Sequence, residues 1–413
     1  MSTATIGRSV EKRPAYALYA IIYATMFLFG FTENIKGVAF PLIKHEFNVA
    51  YSSQGGLVSA TWFGYVTFCL VATLFLQRFG LKKSMIAGYV LVCAGALATL
   101  VSPTFLVVSM TLLLVNTGFG FFEVGSNAMA AVVFTGRTAL MMNLMHFFYG
   151  FGAIVGPKAA GILTESLHLS WRQVYGATLV PVIAVLTMVF LTKFASTGGE
   201  ASQGSANKAG TSEREAPSAL TLSGALKSHA MWVFAVTLGF MEVVEFGAAN
   251  WGGLYLQDVY GLNPRTVGAS FVSLFYVLFT LARLFGGWAI ERTGYVKSLT
   301  FSVLSTMLLF VIGFGLGRNG IWVLPATGLF IGIMWPTLMA VAMKAFGRDA
   351  PMMTSAIITV SGAINGLLQL VIGYTNHLAG EAWGYRSCLL YAGVVLVMLY
   401  ALSRRLNAGR KEG

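Results

Sequence analysis

Charge is scarce in this chain. Of 413 residues, 10% are Asp, Glu, Lys or Arg and 56% are hydrophobic. That is far more apolar surface than a water-soluble protein of this length can bury. A soluble domain is excluded, and a polytopic membrane protein remains. Cysteine is nearly absent: Cys69, Cys93 and Cys388 stand singly in apolar runs, with no paired spacing for a disulfide framework or metal site. They read as small core residues. There is no Walker loop, no His/Cys metal spacing and no nucleophile elbow, which argues against an ATP-driven pump and a membrane enzyme. No metal or cofactor is expected. The formal net charge of +12 invites a nucleic-acid reading, but the cations sit in short loops between apolar runs, where positive-inside topology accounts for them. No nucleic-acid partner is expected.

What is abundant is long apolar sequence. Windows of about 20 apolar residues predict twelve membrane helices, near 16–42, 55–77, 84–102, 104–135, 140–163, 173–194, 230–257, 267–290, 298–317, 321–345, 352–377 and 385–403. The run from Ala15 to Phe40 is too long for a signal-peptide core, so the first span is read as retained. Between the sixth and seventh spans the chain turns to Ser, Gly, Ala and mixed charge, the composition of a flexible linker. The reading is an all-α membrane protein of two six-helix bundles, 1–194 and 230–413, joined by a linker at 195–229. Of the 27 Lys and Arg, nineteen fall on the side of the termini and linker and five on the other. The remaining three, Lys36, Lys158 and Arg283, lie inside apolar runs. This asymmetry predicts a cell (inner) membrane protein with both termini cytoplasmic.

The halves repeat each other. Gly30-Phe-Thr-Glu33 echoes Gly239-Phe-Met-Glu242, and Arg78-Phe-Gly-Leu-Lys-Lys-Ser84 echoes Arg292-Thr-Gly-Tyr-Val-Lys-Ser298. Gly136-Arg137 echoes Gly347-Arg348, and Gly152-Ala-Ile154 echoes Gly362-Ala-Ile364. The nearly constant offsets of 209, 214, 211 and 210 residues point to duplication. A duplicated transporter binds its solute between its repeats, near the bilayer midplane.

Ionisable groups inside the spans mark the pathway, since an unpaired charge there is costly. Glu123 stands alone in the fourth span. A carboxyl that is alternately buried and opened to water can load and release a proton, which makes Glu123 the candidate proton carrier. The alternative is a permanently hydrogen-bonded carboxyl that locks spans together through Asn127, four residues on. Glu33, Asn34 and Lys36 in the first span form either a structural ion pair or part of a solute site, or Lys36 snorkels to the outer surface. Glu33 is the second proton-coupling candidate. Glu242 and Glu245 share a face of the seventh span, and two like charges so close would not both ionise, so one is expected protonated or cation-paired. Arg283 is the one intramembrane Arg, with no partner legible in sequence. Asn250 and Trp251 suit a ligand with hydroxyls and an apolar face, although Trp is also common at membrane interfaces. Asn365 and Gln369 either line the cavity or hydrogen-bond between helices. His146 is either a satisfied core residue or a ligand.

Twelve spans in two halves, a central linker and basic loops after spans two and eight resemble the major facilitator superfamily across almost the whole chain. Its loop pattern Gly-x-x-x-Asp-Arg-x-Gly-Arg-Lys appears as Gln77-Arg78-Phe79-Gly80-Leu81-Lys82-Lys83, without the acidic residue, while Gly287 to Gly294 keeps one as Glu291. The resemblance implies gating roles for Arg78, Gly80, Lys82, Lys83, Glu291, Arg292 and Gly294. A narrower resemblance is to the fucose:proton symporter group of sugar porters. It rests on Glu123-Val-Gly-Ser-Asn127, on Asn143-Leu-Met-His-Phe-Phe-Tyr-Gly-Phe-Gly-Ala153 with His146 in place of Gln, and on Trp335-Pro-Thr-Leu338 through Gly347. It implies a proton-coupling role for Glu123 and a ligand position at His146. The group's Asp four residues before the proline of its first span is Gly37 here, with Glu33 one turn earlier.

The expected function is proton-coupled import of a small polar solute, possibly a sugar, by alternating access. Rival readings are a proton-coupled exporter of a metabolite or drug, uptake of a larger ligand such as a siderophore, and a lipid-moving protein. The expected partners are a small-molecule solute, protons and the lipid bilayer, with the chain acting as a monomer. The solute cavity is expected between the halves, lined from spans one, four, five, seven, eight and eleven.

Overall fold

The computed structural model describes residues 16–134, 138–194 and 222–409. Arg8, Lys12, Arg13, Gly136, Arg137, most of the linker, Arg410 and Lys411 lie outside the described residues. Twelve helices among the described residues are long and apolar enough to cross a membrane. Spans one to six are Tyr16–Phe47, Tyr51–Phe79, Leu81–Leu100, Phe105–Val133, Leu144–Glu165 and Trp171–Leu191. Spans seven to twelve are His229–Tyr260, Pro264–Thr293, Tyr295–Gly315, Leu324–Asp349, Met352–Ala379 and Trp383–Arg404. Each has the 20 or more residues that a rise of about 1.5 Å per residue needs to cross about 30 Å of hydrocarbon. The protein is an all-α, multi-pass membrane protein.

Prolines shape two of these spans. Span one was expected to end near residue 42, but it continues past Pro41 to Phe47 and stops at Asn48, whose φ of 47° turns the chain left-handed. It is broken at Ile35, between helices Tyr16–Asn34 and Lys36–Phe47. Pro41 has no N–H to give the carbonyl of Gly37, and this bare backbone packs so closely on Gly253 of span seven that a Cβ there would collide with the Gly37 oxygen. Span ten is interrupted at Gly332 and Ile333, ahead of helix Met334–Phe346. Pro336 leaves the Gly332 carbonyl without its helical donor, and Arg283 Nε of span eight donates to it at 3.1 Å.

The internal repeat is visible in the backbone. Gly80 joins spans two and three, Gly294 joins spans eight and nine, and both hold positive φ, 82° and 90°. Side chains other than glycine rarely adopt that region.

Spans one to six meet spans seven to twelve mainly at the end away from Tyr16, Leu191 and His229, here called the far end. There Asp258 of span seven accepts from His45 at 2.9 Å and from the Tyr51 hydroxyl at 2.5 Å, and Lys44 lies 3.3 Å away. Lys158 Nζ donates to Ser270 at 2.9 Å, and Arg265 pairs with Glu165 at 3.8 Å. Gly55 and Gly373 bring spans two and eleven into backbone contact. The apolar core follows the same asymmetry. One cluster runs through both halves at the far end, uniting Val38 and Phe40 with Trp251 and Phe271. A second, around Ile21, Met26, Tyr89 and Val189, belongs to the first half alone.

Candidate functional site

Between the halves lies a cavity of about 410 Å³. Span one contributes Glu33, span four Glu123, span five His146, span seven Glu242 and Glu245, and span eight Arg283. The cavity runs toward the end bearing Tyr16 and His229 past Leu70 and Ile358, both well exposed. Its lining differs from the expected one in that spans two and ten also take part, through Trp62, Tyr65, Cys69 and Trp335.

The four carboxylates have different surroundings. Glu123 accepts from Asn127 Nδ2 at 2.8 Å, and the same amide nitrogen donates to the Glu123 carbonyl at 2.8 Å. Asn127 therefore orients the carboxyl from within span four. In this conformation the bond between them lies within span four and does not join separate spans. Glu33 pairs with Lys36 one turn on. Lys36 is 5% exposed, so it does not snorkel to the surface. It sits outside the main cavity, with its ammonium 5.9 Å from the Phe246 ring centre.

Glu242 receives a hydrogen bond from Ser361 at 3.3 Å and lies beside the Trp335 indole, and no cation pairs with it among the described residues. Glu245 makes no hydrogen bond to a described residue but feels the charge of Arg283, as do Glu123 and His146. Arg283 is the positive centre of the cavity. The Gly332 carbonyl fixes it, and its guanidinium stacks 4.3 Å from the Phe279 ring centre.

Several expected ligands stand elsewhere. Trp251 is 1% exposed and donates to Gln369 at 2.8 Å, and Gln369 donates to Asn365 at 3.2 Å. This chain of bonds holds span seven to span eleven. In this conformation Trp251 is buried in a contact between spans, Gln369 joins span eleven to span seven, and Asn365 bonds to Gln369 within span eleven. Asn250 is buried beside Trp251, with neither polar side-chain atom hydrogen-bonded to a described residue. Asn34 turns back to the Gly30 carbonyl at 2.9 Å. None of these residues lines the main cavity.

The expected gating segments form no ion pair across the halves among the described residues. Lys82 donates to the carbonyls of Phe190 and Thr192 at 2.8 and 3.0 Å, and Arg292 lies 3.9 Å over the Trp288 ring. Arg78 packs on the Phe79 ring at 5.5 Å, Lys83 and Glu291 are exposed, and Gly80 and Gly294 shape their turns.

Sequence reasoning missed the aromatic wall: Trp62 and Tyr65 from span two, Tyr149 from span five and Phe246 from span seven. Trp62 meets Phe246 edge-on, with centroids 4.6 Å apart, joining the two halves across the cavity. A signal existed for Tyr149, which follows His146 by three residues and so shares its helix face.

The sequence model of the Major Facilitator Superfamily matches residues 22–373. The chain belongs to this family. Among its relatives is the L-fucose-proton symporter of Escherichia coli (strain K12), 24% identical, with 90% of this chain and 89% of that protein covered. The glucose/galactose transporter of Brucella abortus biovar 1 (strain 9-941) is 23% identical, with 87% and 88% covered. Among solved structures, the nucleoside transporter NupG superposes with a TM-score of 0.73 at 12% identity, with 94% of this facilitator and 99% of NupG covered. That likeness shows a shared fold.

Proposed function

We propose that this facilitator imports a neutral, hydroxyl-rich solute of hexose size together with protons. The observation that carries the reading is the single cavity in which Glu33, Glu123, Glu242, Glu245, His146 and Arg283 converge from both halves. Carboxylates give a proton somewhere to bind. The aromatic wall offers the apolar faces on which the C–H side of a sugar packs, while the carboxylates and Arg283 offer fixed hydrogen-bond partners. Relatives named for fucose, glucose and galactose support this solute class. The size of the cavity favours a monosaccharide over a siderophore.

In this reading Glu123 is the main proton carrier, with Asn127 holding its carboxyl toward the cavity, and Glu33 assists. The end bearing Tyr16 and His229 is cytoplasmic, as the Lys and Arg distribution supports, and the membrane is the inner membrane. The far-end seam then closes the outside, so the conformation described is inward-facing. The chain is a transporter rather than an enzyme, and one copy carries the whole cavity.

A ligand-stabilisation screen of purified protein tests the solute class. L-fucose, D-galactose and D-glucose are compared with amino acids, organic acids and siderophores. A sugar that raises the melting temperature in proportion to the logarithm of its concentration is the expected result. Stabilisation by an organic acid or siderophore alone would overturn it.

A further inference from the structure

The duplication places Glu242 of span seven opposite Glu33 of span one, in the matching segments Gly30-Phe-Thr-Glu33 and Gly239-Phe-Met-Glu242. In span one, the residue three positions on is Lys36, and it neutralises Glu33. In span seven, the residue three positions on is Glu245. The built-in cation of the first half is replaced in the second by another acid. Glu242 is 8% exposed, with Ser361 on one oxygen and the Trp335 indole beside the carboxyl. Among the described residues no Lys or Arg lies within ion-pair distance of it. A buried carboxylate without a cation is strongly disfavoured, and binding a proton removes the charge.

We infer that Glu242 is a further proton-binding residue of the cavity, in which a proton takes the place that Lys36 fills for its repeat mate Glu33. The pair it forms with Glu245 is asymmetric, because Glu245 faces the charge of Arg283. One partner stays ionised and the other holds the proton, as in other close carboxyl pairs. The charged and titratable groups around the pair are Glu33 from span one, with Lys36 reaching the neighbouring Phe246 ring, Glu123 from span four, His146 and Tyr149 from span five and Tyr276 from span eight. Span eight also adds Arg283, span two Tyr65 and span twelve Tyr391, which packs on Phe240. Spans ten and eleven bring the neutral Trp335 and Ser361. With its proton, Glu242 presents an O–H donor to the cavity, and water entering past Leu70 and Ile358 gives that proton an exit.

The inference draws its use from the transport reading, but its test needs no solute. Infrared difference spectra of purified full-length protein, taken while pH is raised, show protonated carboxyls through their C=O stretch. Wild type is expected to lose a band that Glu242→Gln lacks and Glu123→Gln keeps. Glu245→Lys, which copies the arrangement of span one, should remove the same band by giving Glu242 a fixed cation. A titrating spectrum unchanged by Glu242→Gln would overturn the inference and leave the transport reading standing. Absence of proton-driven uptake in vesicles would do the reverse.

Discussion

At the scale of single residues, the account turns on how Glu123 and Arg283 are held. Asn127 gives Glu123 one hydrogen bond and leaves the rest of its carboxyl facing the cavity, as a group that must gain and lose a proton requires. Glu123→Gln keeps the shape and the Asn127 contact but cannot change charge. Proton-driven accumulation is expected to fall to background, while exchange of labelled for unlabelled sugar across vesicles continues. Accumulation at wild-type levels by folded Glu123→Gln protein would remove Glu123 from the mechanism.

Arg283 does two jobs, balancing the acids and capping the Gly332 carbonyl. Arg283→Lys keeps the charge but not the planar Nε donor, and leaving a buried carbonyl unpaired costs about 1–3 kcal/mol. A lower melting temperature with exchange retained is expected for Lys, and loss of both for Arg283→Gln. Wild-type transport by Arg283→Gln would contradict the electrostatic role. Its partner was not legible beforehand because it is a backbone carbonyl, freed by Pro336 on another span. The proline was in view, but which side chain would reach the exposed oxygen depends on how spans eight and ten pack.

At the scale of elements, the spans themselves were legible because each is a long apolar window, and hydrocarbon thickness sets their length. The faces they turn to one another were less so. Trp251, Asn365 and Gln369 carry polar atoms that would suit a solute site, yet Trp251 bonds to Gln369 between spans seven and eleven and Gln369 bonds to Asn365 within span eleven. Nothing in a single sequence distinguishes those two uses of a buried amide. Trp251→Phe separates them in the laboratory. It keeps the ring and removes the donor to Gln369, so a stability loss of about 1–3 kcal/mol with unchanged sugar affinity is expected. A weaker sugar Kd at unchanged stability would return Trp251 to the binding site. The aromatic wall was hidden for another reason: with 31 Phe and 16 Tyr in the chain, Tyr65, Tyr149 and Phe246 carry no compositional mark.

At the scale of the whole molecule, two six-span units lean together at the far end and part at the other. Asp258, gripped by Lys44, His45 and Tyr51, and the glycine contacts at Gly253 and Gly55 hold that seam. Asp258→Asn weakens the grip, and Gly253→Val forces bulk into the Gly37 carbonyl. Both should shift the population toward the state open at the far end. Cys69 lines the cavity and reports the shift in protein whose other two cysteines are Ser. Its labelling by an impermeant thiol reagent from the end bearing Tyr16 should slow several-fold in both variants. Unchanged labelling would show that the seam does not set the conformational balance.

The central claim is that solute and proton cross together through the cavity between the halves. The direct measurement is internal pH in proteoliposomes carrying a trapped pH dye and no imposed gradient, after L-fucose, D-galactose or D-glucose is added outside. Acidification of the interior by at least one sugar, absent in Glu123→Gln vesicles, is the predicted result. Entry of labelled sugar with no change in internal pH, or with alkalinisation, would contradict proton symport.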